Sequence, residues 1–194
     1  MADTFRLVSI FALLMSCLFA NKLPVQENPK PRELIVNNPK SLVEEHEVPF
    51  REVTRRFAKD KFNGLQKRYS QIAGIVMIGI TNEKNEVLLK GPDAWSPPGG
   101  AVKPGEDWAA AARRTIENQT GAAIQVEEPA LVEQMHFQKK GDHEATFSAY
   151  ILHFEASLTD QSKNLSNHPE FAWFRKVPEA AHPNHIKHIK LYLE

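Results

Sequence analysis

Only one cysteine, Cys17, stands among 194 residues, which excludes an intramolecular disulfide framework and any cysteine-rich zinc site. Net charge is missing too. Lys and Arg total 24 and Asp and Glu total 24, so no whole-chain field draws the protein toward nucleic acid or an acidic membrane, and no nucleic-acid partner is expected. The longest apolar run, LVSIFALLMSCLFA (7–20), falls short of the about 20 residues of a bilayer-spanning helix. No G-K-[ST] follows the glycine-rich stretch and no H-E-x-x-H occurs, so neither a nucleotide P-loop nor a zincin helix is encoded. What remains is ordinary for a soluble globular chain: 42% hydrophobic and 25% charged residues.

The apolar run fits the hydrophobic region of a secretory signal behind Arg6, although Asp3 offsets that charge and bulky Leu18 precedes a cut after Ala20. LMSC (14–17) approaches a lipoprotein cleavage box. A short membrane-associating helix, or one packed on the domain, competes evenly with these. Residues 1–22 are therefore set apart as a hydrophobic N-terminal segment, membrane association through 7–20 is an open expectation, and secreted, membrane-associated and cytoplasmic locations stay in balance. Four prolines in 21–41 read as a linker. Residues 23–70 form a linker and N-terminal extension expected to pack on a main domain over 71–194. The basic residues Arg51, Arg55, Arg56, Lys59, Lys61, Lys67 and Arg68 read as a solvated face of an amphipathic segment.

From Ala73 the texture changes. AGIVMIGIT (73–81) is a buried strand by its branched apolar run, NEKNE a turn and VLLK (87–90) a second strand. EDWAAAARRTIENQT (106–120) is a helix with a small inner face, ended by Gly121. Strands follow over 123–128, 131–138, 145–156 and 171–177, and the tail 184–194 closes as a helix. The expected fold is a mixed α/β (α+β) domain, a sheet with helices packed on both sides.

The loop and helix carry a spaced pattern. Gly100, five residues, Glu106, seven residues, Arg114 and then T-I-E-N-Q-T-G-A follow one another, behind WSPPGG (95–100). This resembles the Nudix box, G-x5-E-x7-R-E-U-x-E-E-x-G-U with U a bulky aliphatic residue, and the strand order around it agrees from residue 73 to the C-terminus. The resemblance implies a Nudix-type mixed sheet and hydrolysis of a nucleoside diphosphate linked to another group, a small-molecule nucleotide or phosphate ester. Pro98, Gly99 and Gly100 would turn the backbone tightly beside a phosphate. Glu106 would begin the helix, and Arg114 would clamp a carboxylate.

The resemblance also implies glutamates at 115, 118 and 119, which share one helical face and gather Mg²⁺ or Mn²⁺. Thr115, Asn118 and Gln119 stand there instead. Glu117 does not replace them, because one residue along a helix is a rotation of about 100°. Glu106, Asn118, Gln119 and Glu144 are the remaining metal-ligand candidates, with Glu155 also placed downstream. Such a set holds one ion weakly, so hydrolysis is expected to be slow or lost, and a non-catalytic nucleotide- or ADP-ribose-binding module is the alternative. Each downstream carboxylate, Glu133 among them, reads more simply as solvated. His182, His185 and His188 read as a solvated helix face. Of Trp95, Trp108, Phe137, Tyr150 and Trp173, one or two at most would line a pocket. Two N-glycosylation patterns occur, at Asn118 and Asn164.

Overall fold

The computed structural model describes residues 34–160, 165 and 168–193. The apolar run, Cys17 and the Asn164 pattern lie outside these residues. In chain order the elements are helix α1 (Pro39–His46), strand β1 (Phe50–Phe57), α2 (Lys59–Tyr69), β2 (Gly74–Thr81), β3 (Val87–Lys90), β4 (Gly99–Val102), α3 (Trp108–Thr120), β5 (Ile124–Lys139), β6 (Asp142–Leu158), β7 (Phe171–Phe174), a 3-10 turn (Pro183–His185) and α4 (Ile186–Leu191).

The strands form one 7-stranded mixed sheet in the order β1-β5-β6-β2-β3-β7, with β4 also paired to β2. β2 is forked: its first half pairs with β4 and its last residue with β3. Two expected strands, 123–128 and 131–138, are one long β5 whose register slips against β6 between Val126 and Leu131. Pro129 explains the slip, since it brings no backbone donor to the ladder. β1 does more than pack on the domain. It joins the sheet as a parallel edge strand on β5, setting Arg51 opposite Glu133 and Arg55 opposite Phe137. The proline-rich stretch is also docked where it is described. Val36 and Leu42 are buried, and the Val36 amide donates to the Asp107 carboxylate while its carbonyl accepts from Trp108.

Period-two alternation sends the apolar residues to both faces of the sheet. Val76, Ile78, Leu152 and Phe154 pack on α3 and α1. Met77, Met135, Phe137 and Ile151 face α2, and Val87 and Leu89 face α4. Helices therefore cover both faces. Asp107, rather than Glu106, caps α3 by accepting from the Ala110 amide, and Gly121 closes the helix at φ 69°. Among the described residues no helix is long and apolar enough to cross a membrane.

Candidate functional site

Glu106 sits in the turn ahead of α3, and both its oxygens are engaged. Arg114 donates from Nε to Oε1 at 2.6 Å and from Nη2 to Oε2 at 2.8 Å, and the Lys103 amide donates to Oε2 at 2.8 Å. The Arg114 bonds hold the Glu106 carboxyl below its ordinary range. Arg114 also donates to the Ala101 carbonyl at 2.9 Å, so the pair fastens the loop between β4 and α3 to the helix.

Gly99 and Gly100 are strand residues, not turn residues, and neither has positive φ. Their small size serves close packing. A Cβ on Gly99 would meet the Val76 carbonyl at 2.6 Å, and one on Gly100 would meet Thr115 Oγ1 at 2.5 Å. The helix face expected to gather carboxylates is thus pressed against β4. Thr115 is buried there, Asn118 is exposed, and Gln119 donates from Nε2 to the Gly99 carbonyl at 3.1 Å. Thr115 Oγ1 and Gln119 Oε1 are buried without a hydrogen-bond partner, two neutral oxygens that add no charge. Glu144 is exposed near the turn between β5 and β6. This donor set does not fit a hard divalent ion: its one carboxylate on the α3 side is consumed by Arg114, and Gln119 joins Gly99 through its own N–H.

Gly99 also lines a cleft of ≈ 400 Å³ on the α2 face. Arg55, Arg68 and Lys90 supply its charge, Ile75, Met77, Met135 and Ile151 its apolar wall, and Pro97 and Pro98 its rim; Tyr69 faces it as well. None of the five aromatic residues singled out above lines this cleft. The basic segment is therefore not simply a solvated face.

At the edge of the same cleft His188 belongs to a buried network. Glu133 Oε1 accepts from Arg51 Nε at 2.8 Å and from Nη2. Its Oε2 lies 3.0 Å from His153 Nε2 and 2.9 Å from His188 Nε2. His153 Nδ1 meets the Tyr192 hydroxyl at 3.1 Å, and His188 Nδ1 meets His185 Nδ1 at 3.2 Å. Burial would raise the Glu133 carboxyl, but the bonds from His153 and His188 outweigh it and keep the group ionised. Burial pushes His153 below its ordinary value despite its bond to Glu133, and lowers His185 to about 4. Arg51 supplies the permanent countercharge. Both sequence expectations for these residues fail, since Glu133 and His188 are buried rather than solvated. One signal was available: Glu133, Met135 and Phe137 alternate onto one face of β5, so the carboxylate shares an apolar face and needs a partner.

A forked central strand, Gly100 on β4, Glu106 in the turn after it and Arg114 on α3 define the class, an α+β domain built around this box. The NUDIX domain family model matches residues 71–193, and the chain belongs to the Nudix family. Similar solved structures include a UDP-X diphosphatase (19% identity, TM-score 0.46, 70% of each chain covered). A NUDIX hydrolase from Nitrosomonas europaea has 20% identity and a TM-score of 0.44, over 62% of this chain and 88% of that one. The C. elegans Ap4A hydrolase has 22% identity and a TM-score of 0.37, over 53% and 80%. None of the curated proteins compared matches the chain.

Proposed function

We propose that this Nudix domain binds a nucleoside diphosphate linked to another group in the cleft beside Gly99, and hydrolyses it slowly or not at all. The observation that carries the reading is the Gln119 amide on the Gly99 carbonyl, where an ion-dependent hydrolase needs negative charge. Arg55, Arg68 and Lys90 offset phosphate charge, with the guanidinium groups suited to two-point contact with phosphate oxygens. The wall of Ile75, Met77, Met135 and Ile151, with Tyr69, receives an apolar or planar group. Mg²⁺ or Mn²⁺ would supply charge neutralisation and an activated water in such chemistry. Arg114 and Glu106 act as positioning residues that hold the loop against α3. A nucleotide- or ADP-ribose-binding module without turnover is the limiting case of the same reading.

Calorimetry with ADP-ribose and a UDP-sugar, paired with hydrolysis assays in Mg²⁺ and Mn²⁺, tests it on the wild type and on Asn118→Glu/Gln119→Glu. Thr115 is left in place because it is packed against Gly100. Binding without appreciable turnover in the wild type, and ion-dependent turnover in the double variant, is the expected pattern. Wild-type turnover equal to that of the double variant would overturn the degenerate-site reading. Failure of both ligands to bind would overturn the assignment of the cleft.

A further inference from the structure

We infer that Glu133, His153 and His188 form a site for a transition-metal ion of the zinc type, separate from the box helix. Glu133 Oε2 and the two Nε2 atoms converge, all three ligand atoms lying within 4.8 Å of one another. Ligands about 2.0–2.1 Å from a four-coordinate zinc stand about 3.3 Å apart. The contacts of 3.0 and 2.9 Å to Oε2 would open by a few tenths of an ångström, and the two Nε2 atoms, within 4.8 Å of one another, would settle toward the same spacing. Two imidazoles and one carboxylate suit zinc, whereas Mg²⁺ favours an all-oxygen shell.

Each ligand is held from behind, as metal ligands require. Arg51 binds the other oxygen of Glu133, the Tyr192 hydroxyl meets the far nitrogen of His153, and His185 meets the far nitrogen of His188. Hydrogen bonding alone leaves a contradiction at His188 Nε2. That atom lies 3.0 Å from Arg51 Nη2, which can only donate, and 2.9 Å from Glu133 Oε2, which can only accept. A protonated Nε2 opposes the arginine; a bare Nε2 opposes the carboxylate. An ion would take the lone pairs of all three converging ligand atoms, while Arg51, with its side chain 34% exposed, keeps its Nε bond to Oε1 and turns Nη2 away from His188. The ion would join β5, β6 and α4 at the cleft's edge, with its fourth position left to water.

The full chain, stripped with a chelator, is titrated with Zn²⁺ alone, and the metal retained after gel filtration is counted by mass spectrometry. One zinc per chain, a raised Tm, and visible absorption bands with Co²⁺ are expected. Glu133→Gln and His188→Ala should weaken zinc binding by about tenfold or more, while His182→Asn leaves it unchanged. No retained zinc, or affinity that follows His182 and not His188, overturns the site. Should the two ligand variants not fold, imidazole nitrogen NMR of the wild type decides: zinc must shift the Nε2 signals of His153 and His188, and unmoved signals overturn it.

Discussion

On the α3 side of the sheet, the polar groups of the box are joined by short local bonds. Arg114 reaches Glu106 eight positions back, and Gln119 reaches the adjoining strand at Gly99. On the opposite side, Arg51, Glu133, His153 and His188 come from four separate elements and meet in the interior. The first set keeps the spacing of a pyrophosphate-hydrolysing helix and lacks its charge. The second holds ionised groups with no linear pattern to announce them. Spacing along the chain and the main cluster of buried charge are thus separate here: the recognisable motif carries one ion pair, and the larger charge network lies where no motif points.

The largest effect should come from removing the buried carboxylate. Glu133→Ala removes the acceptor shared by Arg51, His153 and His188; Arg51 is 34% exposed and can turn to water, so the cost is set by the buried imidazoles, at about 2–3 kcal/mol. Urea denaturation of the chelator-treated protein measures it. A loss below about 1 kcal/mol would mean that the interior network carries no more weight than the surface-connected pair on α3, and the contrast between the two sides would collapse.

Gly100→Ala should follow, at about 1–3 kcal/mol, because the added methyl group falls 2.5 Å from Thr115 Oγ1. Thr115→Ala in the same chain should recover part of the loss, since the two residues share one contact. Additive losses would show that β4 and α3 are not pressed together as described.

These two residues also show what a linear reading can reach. Gly100 and Thr115 are fixed in register by the box, so the fold, the helix and its neutral face were legible from spacing. The reason for the glycine was not: it admits a helix at close range rather than a turn, and only the pairing of β4 with β2 reveals that. Glu133 was legible in part through alternation on β5. His153 and His188 were not, because nothing local links a β6 histidine to one on the last helix. The register of β1, which brings Arg51 to Glu133, depends on a parallel pairing across 82 positions, beyond the reach of any periodicity.

Gly99 and His188 both line the cleft, and charge there should act on binding rather than on stability. Arg68 is exposed on α2, so Arg68→Ala should weaken ADP-ribose binding about tenfold, or ~1.4 kcal/mol, while folding stability moves by no more than about 0.5 kcal/mol. Calorimetry and denaturation on the same variant separate the two. Unchanged affinity would remove Arg68 from the phosphate-binding set.

The smallest effect belongs to Glu106, and its sign is set by linkage. Arg114 lowers the folded pKa of Glu106 below the about 4.3 of an unfolded glutamate. The ionised pair therefore contributes stability above that value and loses it as pH falls through the folded pKa. Glu106→Gln keeps an acceptor for Arg114 but removes the charge, so it should be less stable by about 1 kcal/mol or less at pH 7. Glu133 titrates in the same acidic direction, but it is present in both proteins and cancels from their difference. The gap between wild type and Glu106→Gln should narrow as pH drops below 4.3. A gap that stays constant through this range would mean that Arg114 binds the side chain by shape alone, and that charge has left the α3 side altogether.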